Sequence, residues 1–258
     1  MSSPKVLLLD IETSPITGYT WKTWQDNVLK ILEPSKILSV SWKWLNEDET
    51  FCKALPDYRG YKKNVIDDEK LVKEAWKLLD DADIVIGHHV AKFDIPKLNA
   101  RFVYHGLAAP SKYQIVDTKR VASRYFKFDS NSLNNLGQYL GCGVKIENGG
   151  FDLWVRCIAG DKDAWEVMKA YNTQDVVLLE KVYLKLRPYI ENHPNVSLIT
   201  GMTSTGCPTC QSVNVQKRGF AYTRTSRKQR YQCNDCHAWS SGPLERVKNS
   251  NILFSEET

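Results

Sequence analysis

The segment KVLLLDIETS at residues 5–14 constrains the fold of this chain more than any other part of the sequence. Its apolar run predicts a buried strand that reaches Asp10, and a single isoleucine separates Asp10 from Glu12. Side chains alternate along a strand, so both carboxylates are expected on one face at the strand end. Two like charges this close repel each other unless a cation lies between them. A metal or catalytic site is one interpretation, and an acid that caps the following turn is the other.

Length and composition limit the classes of protein to which the chain can belong. Its 258 residues suit one large domain, or one domain with a small module. With 42% apolar and 25% charged residues, the composition is typical of a soluble globular protein. The sequence has neither an apolar run near the ~18–20 residues of a membrane span nor the N-terminal pattern of a signal peptide. We therefore expect a cytoplasmic protein that has no membrane partner.

Hydrophobic periodicity predicts an α/β fold. Strands are predicted at residues 5–11, 37–44, 49–55 and 83–89, with a further short strand in the segment YQIVD. Helices are predicted at residues 67–82, 94–106, 132–141 and 161–190. The strands come first as a meander and then alternate with helices, which is typical of a mixed sheet with helices on its faces.

A change in composition marks the domain boundary. Residues 191–206 lose periodicity and gain glycine, serine, threonine and proline, as linkers do. We therefore predict four segments, which are a first domain at residues 1–195, a linker at 196–205, a small module at 206–248 and a tail at 249–258.

Two further acids stand out by their context. Asp94 follows a predicted buried strand at the point where a helix begins, where it could also act as a plain N-cap. Asp175 stands before the apolar residues VVLL in a long predicted helix, where a buried acid needs a partner. Together with Asp10 and Glu12 they form a set of four carboxylates. Such a set is how proteins hold Mg²⁺, which prefers a few carboxylate oxygens with water and substrate phosphate.

Three short motifs give the chain a resemblance to a known family. The segments DIET, HVAKFD and YNTQD resemble, in order and spacing, the three exonuclease motifs of DEDD 3′→5′ exonucleases. These DnaQ-like enzymes belong to the ribonuclease H-like superfamily, which includes the proofreading domains of DNA polymerases. The resemblance covers residues 5–190. It implies a mixed five-stranded sheet flanked by helices, and it maps the metal ligands of the family onto Asp10, Glu12, Asp94 and Asp175.

The third motif resembles that of one subclass of the family. The tyrosine subclass, called DEDDy, has a tyrosine four residues before the last aspartate, and Tyr171 stands at that distance from Asp175. The other subclass has a histidine five residues before it, where this chain has an alanine. A core tyrosine is the alternative interpretation of Tyr171. One departure is His89, which stands where many relatives carry asparagine and which we interpret as a substrate contact or a local hydrogen-bonding residue.

The resemblance also implies a mechanism. Two Mg²⁺ or Mn²⁺ ions would clamp the attacking and leaving oxygens of a phosphodiester. Asp10, Glu12 and Asp175 would hold the ion that activates water, and Asp10 and Asp94 would hold the second. Tyr171 would orient the water or help to deprotonate it through its hydroxyl. The implied partner is nucleic acid with a free 3′ end, with DNA favoured, and the products are nucleoside monophosphates. A catalytically silent nucleic-acid-binding adaptor and an RNA-directed exonuclease are the alternatives.

Four of the seven cysteines form a second constellation. They make two C-x-x-C pairs that are separated by 22 residues. This spacing predicts one structural Zn²⁺, and metal binding would supply the folding energy of so small a module. Redox thiol chemistry is the alternative. The predicted zinc ligands are Cys207, Cys210, Cys233 and Cys236.

The cysteine module carries most of the basic excess of the chain. Residues 206–248 contain eight lysines or arginines and two acids, which gives a charge of +6. Cations interleaved with aromatic residues are suited to phosphate contact and base stacking, and the segment resembles zinc ribbons appended to transposases and other nucleic-acid enzymes. A solvated basic face and a protein-docking module are the alternatives. The predicted contacts are Lys217, Arg218, Phe220, Tyr222, Arg224, Arg227, Lys228, Arg230 and Tyr231, together with His89.

Overall fold

A five-stranded mixed sheet organises the first part of the chain in a computed structural model that describes residues 4–24, 27–199, 201 and 206–246. The strand order is β5-β4-β1-β6-β7, where β1 pairs antiparallel with β4 and parallel with β6. The meander followed by parallel strands confirms the predicted ribonuclease H-like fold class. The sheet strands are β1 Val6–Thr13, β4 Ile37–Trp44, β5 Phe51–Ala54, β6 Ile84–Gly87 and β7 Gln114–Asp117, and a separate hairpin consists of β2 Thr17–Tyr19 and β3 Lys30–Glu33.

Helices cover the sheet at the predicted places, with ends shifted by a few residues. The long predicted helix ends at Leu186, four residues before the predicted end. Two short helices were not predicted. Glycines precede α5 and its seven residues show no clear periodicity, and the four residues of α7 lie in the segment that was predicted as a linker. The helices are α1 Glu69–Asp81, α2 Asp94–Tyr104, α3 Thr118–Tyr125, α4 Leu133–Tyr139, α5 Asp152–Ile158, α6 Lys162–Leu186 and α7 Val196–Ile199.

The core explains why β1 can end in acids. Leu7, Leu9 and Ile11 are buried in the main hydrophobic cluster with residues of α1 and α2. Alternation along β1 places Asp10 and Glu12 on the opposite face. Helix α6 packs on β1, β4 and β5. One set of β1 side chains therefore packs in the core, and the set on the opposite face includes the two carboxylates.

The chain divides between Leu186 and Arg187 into two compact units. The second unit contains a three-stranded antiparallel sheet in the order β10-β9-β8, formed by β8 Val215–Tyr222, β9 Ser226–Cys233 and β10 Trp239–Arg246. The predicted boundaries after residues 195 and 205 stay predictions. The predicted tail at 249–258, and Lys248 in the basic module, lie outside the described residues. Among the helices of the described residues, none has the length and apolar character needed to cross a membrane.

A buried charged cluster ties two helices to the sheet. The Asp68 side chain is fully buried and accepts hydrogen bonds from Arg101 Nε at 2.8 Å, Arg101 Nη2 at 2.6 Å and the Ile37 backbone N–H at 2.9 Å. His105 Nε2 lies 2.8 Å from the same carboxylate. Burial alone would raise the pKa of Asp68, but these partners, Arg101 first, hold it below its ordinary value.

We expect Asp68→Asn to destabilise the protein at pH 7 by about 3 kcal/mol, because Arg101 would stay buried without its counter-charge. The folded-state pKa of Asp68 is lowered, so its stabilisation is present above the unfolded pKa of about 3.9 and is lost as the pH falls below it. Urea unfolding between pH 7 and pH 3 measures both effects, and the difference between variant and wild type should shrink at the acid end. Asp81→Asn, which removes an exposed pair with Lys5, should cost less than about 1 kcal/mol. Equal costs for the two variants would contradict the role of the cluster.

Candidate active site

Three predicted acids converge at the end of β1. One carboxylate oxygen from each of Asp10, Glu12 and Asp175 lies within 4.8 Å of the others. Strand β1 supplies the first two and helix α6 supplies the third. The cluster is therefore built by two elements that are far apart in sequence, and its three oxygens could hold a cation.

Asp94 lies beside this cluster at the first residue of α2. Its Oδ1 accepts the backbone N–H of Ile11 at 3.1 Å, which holds the carboxylate against β1. The N-cap of α2 is Phe93, so Asp94 is not the plain N-cap that its sequence context allowed. The Asp94 side chain is buried, and its charge raises the pKa of Asp10.

The electrostatics of the cluster favour a bound cation. Burial raises the pKa of Asp10 well above its usual range, and the charges of Asp94, Glu12 and Asp175 raise it further. Burial likewise raises the pKa of Glu12 to about 7 and that of Asp94 to about 7. Asp175 Oδ1 is buried and has no hydrogen-bond partner among the described residues. A bound cation would offset the repulsion among the carboxylates and would give the unpaired oxygen of Asp175 a partner.

Lys145 is a cation at the cluster that was not predicted from the sequence. Its Nζ donates to Asp175 Oδ2 at 2.5 Å and to the Tyr171 hydroxyl at 3.0 Å. Burial opposes its charge, but Asp175 holds the pKa of Lys145 above its ordinary value. Lys145 lies in the irregular segment 142–150, where neither periodicity nor a motif sets it apart from other lysines.

Asn172 positions Asp10 and was also missed. The Asn172 Nδ2 group donates to Asp10 Oδ2 at 2.6 Å, and its Oδ1 accepts the Ser39 hydroxyl at 2.9 Å. Asn172 is fully buried. The signal that could have found it is its place beside Tyr171 in YNTQD, three residues before Asp175 on the same helix.

Tyr171 lies one helical turn before Asp175, as its spacing predicted. Its hydroxyl accepts the Lys145 bond, and its ring makes an edge contact with Trp154 at 6.2 Å between centroids. Burial raises the pKa of Tyr171 to about 12, so the phenol is protonated at neutral pH. Trp154 also interacts with Glu12 and lowers its pKa, so this indole lies close to both the tyrosine and the acid cluster.

A cavity of about 430 Å³ opens beside the acids. Thr13 follows Glu12 directly in β1, and the aromatic walls come from Phe151 and Trp154 of the α5 region. The lining residues are Thr13, Ser14, Pro15, Asn148, Gly150, Phe151 and Trp154.

The two adjacent histidines have different environments. His88 Nε2 donates to the Asn131 carbonyl at 2.9 Å, and burial lowers the pKa of His88 to about 4, so it is a neutral structural residue. His89 has φ +73°, a conformation that asparagine adopts more readily than most residues, and its N–H donates to Asp117. Asp117 caps α3. His89 lines a cavity of about 640 Å³ with Lys92, Lys119 and Arg120 among its walls.

The four predicted cysteines converge in the second unit. One Sγ from each lies within 4.8 Å of the others, with 3.6 Å between Cys207 and Cys236 and 3.7 Å between Cys210 and Cys233. No disulfide joins any of the four. Four soft sulfur donors at this separation could hold one metal ion.

The sheet β8–β10 divides the predicted nucleic-acid contacts between two faces. Residues that pair across strands share a face, so Lys217 lies with Tyr231, and Tyr222 with Arg227. We call this side the aromatic face, and its residues are Lys217, Phe220, Tyr222, Arg227, Tyr231 and Glu245. The other side, the basic face, contains Lys228, Arg230, Trp239, Leu244 and Arg246. Arg218 lies at the bulge of β8, and Arg224 lies in the turn before β9.

The charges of the two faces differ. On the aromatic face, Arg227 Nε donates to Glu245 at 2.8 Å, and its guanidinium lies 4.5 Å from the Phe220 centroid. On the basic face, Arg230 lies 5.5 Å from the Trp239 centroid, and the described residues of that face include no acid. Trp239 is 49% exposed and was not among the predicted contacts.

Comparisons with known proteins identify the fold and the family. A search of curated proteins finds no match. Among solved structures, the family B DNA polymerase from the hyperthermophilic archaeon Pyrobaculum calidifontis is similar to this chain, with a TM-score of 0.55 and 14% sequence identity. That likeness, which is one of fold, covers 87% of this chain and 32% of the polymerase. The family model of the RNase_H superfamily matches residues 7–187, which is more than half of the sequence, and the chain therefore belongs to the RNase_H superfamily.

Proposed function

We propose that this chain is a metal-dependent 3′→5′ exonuclease of the tyrosine subclass, which hydrolyses nucleic acid to nucleoside monophosphates with DNA favoured. The observation that carries the proposal is the convergence of Asp10, Glu12 and Asp175, with Tyr171 one turn before Asp175. Membership of the RNase_H superfamily and the fold of a DNA polymerase relative support a nuclease. The 3′→5′ direction rests on the resemblance of the three motifs.

The residues fit two Mg²⁺ or Mn²⁺ ions. These hard ions take carboxylate oxygens, of which the cluster offers those of three acids and Asp94 beside it offers a fourth carboxylate. Asp175 Oδ1 in this cluster is buried and has no hydrogen-bond partner among the described residues. Asp10, Glu12 and Asp175 would hold one ion, and Asp10 with Asp94 the other. When bound, such ions supply an activated water and stabilise the leaving oxygen. Lys145 forms an ion pair with Asp175, and this pair supports the proposal that the site attracts cations.

The side chains around the acids have separate tasks in this proposal. Asn172 fixes the direction of the Asp10 carboxylate through its amide. Tyr171 presents a protonated hydroxyl, held by Lys145, that orients the attacking water without removing its proton. Trp154 interacts with Glu12 and forms a wall of the adjacent cavity.

The cavity beside Glu12 supports hydrolysis at the end of a nucleic-acid strand. Phe151 and Trp154 offer aromatic surfaces on which a nucleobase could stack, and Thr13 follows directly after the catalytic acid. We propose that the 3′-terminal nucleoside lies in this cavity, so that the phosphate on its 5′ side reaches the carboxylates. His89, Lys92, Lys119 and Arg120 in the larger cavity would contact the strand further from its end.

The four cysteines would hold one structural Zn²⁺, and the ribbon would bind substrate. The thiolate set suits zinc, and the tight spacing of the sulfurs supports a shared ion. The basic face would make the main phosphate contacts, because on the aromatic face Arg227 is neutralised by Glu245. Trp239 adds an exposed stacking surface to the basic face.

The central test is hydrolysis by Asp10→Asn. We expect kcat to fall at least about 100-fold, because Asp10 is shared by both ions and their stabilisation is worth several kcal/mol. Digests of 5′-labelled DNA and RNA oligonucleotides with Mg²⁺ or Mn²⁺ measure activity, direction and substrate, and a ladder that shortens from the 3′ end is expected. The control Asp163→Asn changes an exposed acid of α6 and should retain full activity. An inactive wild type would support the silent adaptor, and a fully active, folded Asp10→Asn would exclude the proposed mechanism.

A second prediction concerns the tyrosine. Tyr171→Phe keeps the ring contact with Trp154 and removes the hydroxyl, so kcat should fall at least about tenfold while KM changes little. Steady-state kinetics on a single-stranded oligonucleotide measure both constants. Tyr139→Phe, at an exposed tyrosine of α4, is the matched control. If kcat of Tyr171→Phe stays within about twofold of wild type, Tyr171 is a packing residue.

The ribbon faces give a third prediction. We expect the triple substitution Lys228→Gln, Arg230→Gln and Arg246→Gln to make the dependence of binding on salt shallower. On single strands, log of the association constant falls with log salt by about 0.7 for each phosphate contact, so the slope should become less negative by about 2. The matched triple Lys217→Gln, Arg218→Gln and Arg224→Gln removes the same charge and should change the slope less. Binding is measured with labelled oligonucleotides in the Asp10→Asn background, after zinc content is shown to be unchanged. Identical slopes in all proteins would favour a protein-docking ribbon.

A further inference from the structure

The hairpin β2–β3 exposes large apolar side chains near the proposed active site. Trp24 is 95% exposed, Trp21 is 86% exposed and Tyr19 is 61% exposed. An isolated two-stranded hairpin is marginal in water, and a concentration of exposed apolar residues marks a surface that binds something. The other exposed apolar residues of the hairpin are Ile16, Val28, Leu29, Ile31 and Leu32.

The base of the hairpin is fixed two residues beyond Glu12. The Ser14 backbone N–H donates to the Lys36 carbonyl at 2.8 Å, and the Lys36 N–H donates to Ser14 Oγ at 2.9 Å. Ser35 Oγ donates to the Ser14 carbonyl at 2.7 Å. Ser14 and Pro15 also line the aromatic cavity beside the acids. The hairpin is thus anchored at the rim of the cavity that would receive the 3′ end of the nucleic acid.

Lysines accompany the exposed aromatic residues of the hairpin. Tyr19 pairs with Lys30, so an exposed aromatic ring and a cation share a face. Lys22 follows Trp21 directly. The acid of β3, Glu33, is paired with Lys36 at 3.1 Å, which cancels its charge. Among the described residues of the hairpin, aromatic rings are therefore interleaved with lysines, the combination that binds single-stranded nucleic acid through stacking and phosphate contact.

We propose that this hairpin is a second substrate-binding surface, which holds unpaired nucleobases of the strand whose end lies in the cavity. Tyr19, Trp21 and Trp24 stack on the bases, and Lys22 and Lys30 contact the phosphates. The proposal rests on the proposed nuclease function, because the hairpin acts on the same strand. Its position at the cavity rim favours nucleic acid over a protein partner or a second copy of the chain.

The test compares oligonucleotides of two lengths. The variant Tyr19→Ser, Trp21→Ser, Trp24→Ser is made in the Asp10→Asn background, and Kd is measured by fluorescence anisotropy with labelled single-stranded DNA of 4 and 12 nucleotides. Each base that stacks on an aromatic side chain contributes about 1–3 kcal/mol to the binding free energy. Loss of even two of the three aromatic side chains should therefore raise Kd for the longer oligonucleotide at least about tenfold. Kd for the shorter strand should change less than about twofold, because it fills the cavity and reaches little of the hairpin. Val103→Ser, an exposed residue of α2, should change neither value.

Three results would overturn the proposal. These are an unchanged Kd for the 12-nucleotide strand, an equal loss for both lengths, and a change of oligomeric state in the variant by light scattering, since the last would make the hairpin an interface between copies. Failure of the proposed function is separable, because it appears as absent metal-dependent hydrolysis of the 4-nucleotide strand by the wild type.

Discussion

Repulsion among carboxylates that are buried or half-buried is the constraint on which the rest of this structure depends. Asp10, Glu12, Asp94 and Asp175 are drawn together by elements from three parts of the chain, and burial raises the pKa of each. A fold that served stability alone would separate such groups, because each unpaired buried charge is costly. Their convergence is favourable once cations are present, and this requirement explains Lys145, which neutralises Asp175 with its own amine.

The sheet provides the geometry that makes this convergence possible. β1 lies in the middle of the sheet, where its first residues pair with β6 and its acid-bearing end pairs with β4. Its core-facing leucines fix the strand, and the alternation of side chains then determines where Asp10 and Glu12 point. Helix α6 crosses the same part of the sheet and delivers Tyr171, Asn172 and Asp175 within two turns. The acids are therefore positioned by three regular elements, β1, α2 and α6, and an irregular segment adds Lys145.

The sequence allowed prediction of what depends on local pattern. The strand that leads to Asp10, the helix that contains Asp175 and the two cysteine pairs could be recognised from periodicity, motif and spacing. Lys145 and Asn172 could not, since a lysine in an irregular segment acquires its role only through contacts with residues distant in sequence. The hairpin β2–β3 could not be predicted, because its strands are short and carry no alternation of apolar and polar residues. In the ribbon, a bulge in β8 shifts the register, and cations that look equivalent in sequence lie on opposite faces.

The measurement that tests the central claim most directly is equilibrium binding of Mn²⁺, followed by electron paramagnetic resonance, in wild type and in Asp10→Asn. It reports on the carboxylates without requiring turnover or a known substrate. With a nucleotide monophosphate product present, we expect the wild type to bind two Mn²⁺ ions per chain, and Asp10→Asn to lose both because it removes the shared ligand. Unchanged Mn²⁺ binding in a folded Asp10→Asn protein, or no binding by the wild type, would contradict a cation-bridged carboxylate site.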